Sequence, residues 1–224
     1  MRRCFIPILA LSVLIALSFS LEARSRKHSG AGENSPGVFD YYLMSLSWSP
    51  QYCSGDIGTR DIQQCTEGGK RFGFVMHGLW PQYEHGYPEA CGDATMVPQL
   101  VVTSMLPLMP SPRLIQHEWE AHGTCSGLKV NDYFLEIRKA SATVRIPDEF
   151  QQPREQVMMS PTDIKAKFAA SNPLFPAEAI KVQCGGRYLS EVRVCLTRDL
   201  RARACTADVR DTCKADSIIV RPVK

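Results

Sequence analysis

The chain has 224 residues, 44% apolar and 22% charged, with a formal net charge of +3. That length suits one domain of the usual roughly 100–200 residues, and it is enough to bury a core without a metal or a partner to complete it. The charge is too mild to argue nucleic-acid binding from composition, so a local basic patch would have to carry any such claim.

Arg2 and Arg3 precede an apolar run from Phe5 to Phe19, and small residues follow. This is the layout of a secretory signal peptide, with cleavage after Ser20 or after Ala23. The run falls short of the roughly 20 residues of a membrane span, so residues 1–23 read as a removed leader, and no stable membrane association is expected once it is gone. Cys4 precedes the apolar run and leaves with it. Removing Arg2, Arg3 and Glu22 takes away two positive charges and one negative, for a mature charge of about +2. The polar stretch 24–37, rich in Ser, Gly and basic residues, reads as a mobile lead-in in which His28 is inert. The domain proper is expected over 38–224.

Cysteine usage agrees with export to a secreted or periplasmic location. Cys53, Cys65, Cys91, Cys125, Cys184, Cys195, Cys205 and Cys213 remain after the leader, an even set that implies a disulfide framework. Eight cysteines allow 105 pairings, so counting alone fixes none of them. No Cys-x-x-Cys pair occurs, which argues against a zinc ribbon or a thioredoxin-like site.

Val38 to Trp48, rich in Tyr, Leu and Phe, predicts a first strand. Phe72 to Met76 is a short apolar run that ends at His77-Gly78, as expected of a buried strand delivering His77 at its end. A short helix fits within Met96 to Met109. Ser111-Pro112 reads as an N-cap followed by proline at the first helical position, opening a helix that runs to Gly123. Asn131 to Ala142 predicts another helix, with Tyr133, Phe134 and Ile137 on one face. Ser160-Pro161-Thr162-Asp163 opens a third in the manner of a capping box, with Asp where Glu is usual. Ile180 to Val182 and Tyr188 to Leu196 flank Gly185-Gly186 as a hairpin. Ser217 to Val220 adds a last strand. The class is α+β, a mostly antiparallel sheet with flanking helices in a single disulfide-stapled domain.

Two stretches concentrate the chemistry: Phe74-Val75-Met76-His77-Gly78-Leu79-Trp80-Pro81, and His117-Glu118-Trp119-Glu120-Ala121-His122-Gly123-Thr124-Cys125. Glu118 and His122 are four apart, so a continuous helix places them on one face, where the carboxylate would raise the imidazole pKa. That suits acid–base work near neutral pH. The zinc signature His-Glu-x-x-His needs histidines four apart. Here His117 and His122 are five apart, about 140° around an ideal helix, so no metal site is expected. His85, in the polar loop 82–92, reads as a solvated side chain.

The His77-Gly78-Leu79-Trp80-Pro81 and His117-Glu118-Trp119-x-x-His122-Gly123-Thr124-Cys125 segments resemble the two active-site segments of the ribonuclease T2 family. The opening Ser45-Leu46-Ser47-Trp48-Ser49-Pro50 with Cys53 resembles it too. The resemblance runs from Phe39 to about Val220 and is closest in shape to bacterial members. It implies an RNA substrate, no cofactor and no action on DNA, and a monomer is expected. It assigns His122 as general base, His77 as general acid, Glu118 as support for the charged transition state, His117 to the phosphate and Trp80 to base stacking. It also implies the disulfides Cys53–Cys65, Cys91–Cys125, Cys184–Cys213 and Cys195–Cys205. Ala121 departs from the family, which often has Lys there to stabilise phosphate charge. Arg113, Lys129 or His117 are candidates to compensate. Gln82 departs as well, where relatives often have an acid. Two other readings compete: an inactive relative acting as an exported RNA- or protein-binding module, which Ala121 motivates, and a metal hydrolase, which the histidine spacing disfavours.

Overall fold

The run Tyr-Tyr-Leu-Met-Ser-Leu-Ser-Trp, apolar on both faces at its start and alternating with serine towards its end, forms β1, Tyr41–Trp48. The computed structural model of the chain describes residues 34–65 and 72–223. The leader expected over 1–23 lies outside the described residues, as does most of the 24–37 lead-in. The last of that lead-in is tied down: the Gly37 N–H donates to the Cys125 carbonyl at 2.9 Å.

After β1 come two single-turn helices, α1 at Ser49–Tyr52 and α2 at Ile62–Cys65. Strand β2 is Phe74–Gln82. Helix α3, Gln99–Met105, sits between Pro98 and Pro107, which keep it to two turns. Helix α4, Pro112–Ala121, opens as expected, with the Ser111 hydroxyl accepting from the Leu114 N–H. Helix α5 is Val130–Ala142, and β3 is the short Val157–Met159. Helix α6, Pro161–Ser171, carries the Ser160–Asp163 cap, in which the Asp163 N–H donates to the serine hydroxyl at 3.0 Å. The hairpin β4 (Ile180–Gly185) and β5 (Tyr188–Leu196) and the last strand β6 (Ile218–Val220) complete the chain.

The strands make one six-stranded sheet in the order β2-β1-β5-β6-β3, with β4 also on β5. All pairings are antiparallel except β5 with β6, which meet through Tyr188 and Ile219. The fold is thus the α+β class with a mostly antiparallel sheet. The short elements α1, α2 and β3 were not legible from periodicity, because four- and three-residue runs carry too little of it.

The period of two divides the sheet into unlike faces. Tyr42, Met44, Leu46 and Trp48 of β1, with Val192, Val194 and Leu196 of β5, point into the main core. Ile115 and Trp119 of α4, Tyr133, Phe134 and Ile137 of α5, and Ile164 and Phe168 of α6 cover them. At one end Trp48, Phe74, Phe150 and Phe168 meet mostly edge to face, with ring centroids 4.8–6.2 Å apart. The opposite face has a smaller apolar patch of Tyr41, Leu43, Cys195 and Val209. On that face Ser45 and Ser47 of β1 pair with Arg193 and Glu191 of β5.

Disulfides join Cys53 to Cys65, Cys91 to Cys125, Cys184 to Cys213 and Cys195 to Cys205. All close short loops, the longest spanning 34 residues. Among the described residues no helix is long and apolar enough to cross a membrane.

Phe168 is fully buried between α6 and the aromatic cluster. Phe168→Ala is expected to lower unfolding free energy by about 3–5 kcal/mol, the usual cost of an aromatic cavity. Urea unfolding followed by tryptophan fluorescence measures it, and a loss under about 1 kcal/mol would show that the α6 contact is dispensable.

Candidate active site

The site begins with an irregularity in β2. Ser45 pairs with Gly78, but Leu46 pairs with Met76, so His77 is the extra residue of a β-bulge. The expectation that a strand ends at His77 is therefore corrected: β2 continues to Gln82, and the bulge turns His77 away from the core while Met76 and Leu79 stay in it. Next to the bulge, a Cβ on Gly78 would stand 1.9 Å from Glu118 Oε2 and 2.3 Å from Trp80 Nε1. Glycine at 78 is what lets helix α4 approach the strand this closely.

Helix α4 supplies Glu118, only 1% exposed. Its Oε2 accepts from the Trp80 indole N–H at 2.7 Å, and its Oε1 lies 3.7 Å from His77 Nε2. The expected pairing of Glu118 with His122 along one helical face does not form. Helix α4 stops at Ala121, and His122 leaves it with φ −123° and ψ −40°. The Ala121 carbonyl accepts from the Ala90 N–H, and the chain tightens into the 3-10 turn Gly123–Ser126. A Cβ at Gly123 would lie 2.3 Å from the Trp119 ring and 2.9 Å from Tyr133, so the turn is packed against the core as tightly as the strand is. His122 instead sits against Trp80, with ring centroids 5.2 Å apart and planes at 35°. Trp80 meets His77 edge-on at the same 5.2 Å, so the indole lies between the two imidazoles.

Their electrical environments differ. Burial, together with the nearby His117 and His77, pushes His122 down to about 3, and its buried Nδ1 has no hydrogen-bond partner among the described residues. Burial also lowers His77, but the hydrogen bond to Glu191 and the charges of Glu118 and Glu191 outweigh it, and the net shift is upward. His77 Nδ1 lies 2.7 Å from Glu191 Oε1. Burial raises Glu118 to about 7, against the opposing pull of His77 and the Trp80 N–H. Glu191 ends at about 2: burial raises it, and hydrogen bonds and charge from His77 and Arg193 more than reverse that.

Glu191 and Arg193 complete the cluster around His77, and neither stands out in the sequence. The alternation Glu191-Val192-Arg193-Val194 shows two charges on the face opposite the core, but not that His77 stands on the same face two strands away. Arg193 Nε and Nη2 reach Glu191 Oε2 at 2.8 and 2.7 Å, and its guanidinium lies 5.0 Å from the centre of the Trp80 ring. Trp80, His122 and Arg193 line a cleft of about 870 Å³ with Gln82, Tyr87 and Gln183.

His117 stands on the exposed flank of α4 and lines a separate groove with Arg60 and Arg113. Neither Arg113 nor Lys129 lines the His122 cleft; Arg193 does. His85 is 88% exposed and lies 3.9 Å from Asp208, a residue of the cleft wall; His85 itself does not line the cleft.

Residues 39–205 match the model of the ribonuclease T2 family. A ribonuclease of Aeromonas hydrophila is 34% identical over 207 residues, covering 86% of this chain and 84% of that one. Among solved structures, RNase NT in complex with 5′-AMP superposes with a TM-score of 0.64 at 22% identity, covering 82% of this chain and 98% of that one. An RNase-related protein from Calystegia sepium gives 0.66 at 18% identity, covering 83% and 98%. These two likenesses are of fold.

Gly78→Ala is expected to force Glu118 and Trp80 apart and to cost about 1–3 kcal/mol, as overpacking does. The Trp80 indole N–H resonance should lose the downfield position of a hydrogen bond to a carboxylate. An unchanged resonance together with unchanged stability would show that the approach is not tight.

Proposed function

This chain belongs to the ribonuclease T2 family and is a T2-type endoribonuclease; from that premise we propose that it is exported and cleaves single-stranded RNA by metal-independent attack of the ribose 2′-OH on the adjacent phosphorus. The observation that carries the reading is the pair of imidazoles set on either side of Trp80, one held neutral and the other biased towards its charged form.

The nucleophile is already next to its target within the substrate, so chain-specific work reduces to two proton transfers and charge stabilisation. Neutral His122 takes the 2′-OH proton. Charged His77 gives a proton to the departing 5′-oxygen. The P–O2′ bond forms as the P–O5′ bond breaks, leaving a 2′,3′-cyclic phosphate. Water then opens the ring to a 3′-phosphate with the roles of the histidines reversed. Glu118, buried beside His77 and bonded to the Trp80 indole, stabilises the imidazolium of His77. Environments that push paired groups in opposite directions are what an acid and a base require at one pH.

The substrate's path draws on the same geometry. The cleft beside Trp80 is large enough for a nucleotide, and RNase NT, of the same fold, is seen with 5′-AMP. Tyr87 offers a stacking face there, Trp80 only the part of its ring that His122 and Arg193 leave open, and His117, in the separate groove with Arg60 and Arg113, would meet a phosphate further along the RNA. DNA has no 2′-OH and is not cut. The disulfides support a secreted or periplasmic location, which the signal-peptide layout of residues 1–23 would provide; the reading is of a monomer with its catalytic domain over 38–224. Ala121, buried where relatives often have lysine, is the feature that would favour an inactive RNA- or protein-binding relative. Arg193 in the cleft argues for activity: Glu191 holds its Nε and Nη2, and its charge still stands on the cleft wall beside the phosphate path.

Mixed-sequence RNA in excess EDTA should be cut to cyclic and 3′-phosphate ends while matched DNA stays whole. His122→Ala should lower the rate by roughly 10²–10⁴-fold, the usual worth of a positioned proton acceptor. No cleavage by the oxidised wild type between pH 4 and 8 would overturn the reading.

The pH dependence follows in sign. A base works deprotonated, so the rate should rise as His122 loses its proton, far below the ordinary histidine range. An acid works protonated, so the rate should fall as His77 loses its own, above that range. Glu118, raised by burial to about 7, adds a titration of its own within this range. Initial rates from pH 3 to 9 test this, and a rate still climbing at pH 9 would count against His77 as the acid.

A further inference from the structure

We propose that Glu191 is a positioning residue for His77: Glu191 Oε1 takes the Nδ1–H, Arg193 holds Oε2, and Nε2 is left as the nitrogen that exchanges a proton with RNA. The proposal rests on the reading of His77 as a proton-transfer group.

The geometry supporting it spans three strands. His77 on β2 and Glu191 on β5 are separated by β1, a gap of roughly 9–10 Å between strand axes. They meet at 2.7 Å because the bulge re-aims His77 and because β1 presents only Ser45 and Ser47 beneath them. Ser47 also donates to Glu191 Oε1, at 3.4 Å. The second carboxylate oxygen is closed off by the guanidinium, with Nε at 2.8 Å and Nη2 at 2.7 Å. The Glu191 side chain is 13% exposed, so its partners are these protein groups rather than bulk water.

An ionised carboxylate only accepts, so Nδ1 facing it must donate. In the neutral ring the proton therefore stays on Nδ1, and Nε2 is the nitrogen that gains and loses one. That nitrogen lies 3.7 Å from Glu118 Oε1, beyond hydrogen-bond distance, and the His77 side chain is 30% exposed, so it can be reached by a substrate. Orientation of one imidazole nitrogen by a fixed acceptor, leaving the other for chemistry, is the general means by which a third group sets a catalytic histidine. The charged or titratable groups facing His77 are Glu118 from α4, Glu191 and Arg193 from β5, and His122 after α4. Arg193 opposes a charge on His77, so Glu191 also stands between two cations.

The test is ¹⁵N NMR titration of the His77 ring, with kcat and KM against pH on RNA, in wild type and in Glu191→Gln. In wild type the neutral ring should carry its proton on Nδ1. In Glu191→Gln its titration midpoint should fall, and the alkaline limb of kcat should move to lower pH with it. kcat at neutral pH should drop roughly 10- to 100-fold, no more than the lower end of the roughly 10²–10⁴ that proton transfer itself supplies, with KM changed less than about twofold. Glu191→Asp, which keeps the charge, should retain the wild-type tautomer and restore part of kcat. It serves as the second variant if Glu191→Gln is poorly folded. An unshifted His77 midpoint in Glu191→Gln overturns the proposal, as does a change in KM with an unmoved pH profile. Wild type that cuts no RNA defeats the functional reading instead, and the titration alone then decides whether Glu191 sets the ring.

Discussion

A carboxylate with almost no access to water is the constraint around which this molecule is arranged. Glu118 comes from a helix and its partners from a strand, so burying it requires the two backbones to approach to near contact. Gly78 makes the approach possible, and the Trp80 indole gives the carboxylate a hydrogen bond in place of solvent. A buried charge left unpaired would cost several kcal/mol. The strand bulge, the glycine beside it and the indole therefore stand or fall together, and removing one exposes the cost of the others.

The same burial separates the two histidines. Both are largely withdrawn from water, which alone would make both neutral. His77 has two carboxylates around it, and His122 has none within hydrogen-bond reach among the described residues. A difference of partners, rather than of solvent access, accounts for their opposite shifts. It arises from a backbone event: helix α4 ends one residue before His122, so the imidazole swings to the indole instead of lying along the Glu118 face.

Much of this was legible in the residues. The Ser111-Pro112 and Ser160-Pro161 starts mark their helices to the residue, since capping is local chemistry. The apolar periods locate β1, β5 and α5 within three residues. What periodicity could not show was any feature that depends on an interruption. A bulge is one extra residue and looks like continuous strand. A helix that stops at Ala121 rather than Gly123 differs by half a turn, yet this decides which groups Glu118 meets. Glu191 and Arg193 were invisible for another reason. Alternation tells which face of a strand a side chain occupies, but only the strand order β2-β1-β5 brings that face to His77. Nor could cysteine counting choose among the pairings, which depend on loops brought together by the finished sheet.

The bulge at His77 has one more consequence. Strand β2 lies at the edge of the described sheet, where unpaired N–H and C=O groups invite another chain to add a strand. The extra residue breaks the regular spacing of those groups. Pro81 has no N–H to offer, and the Met76 N–H is already spent on the Leu108 carbonyl. The edge that presents His77 and Trp80 is thus a poor template for self-association, and the irregularity that shapes the site also guards it against aggregation.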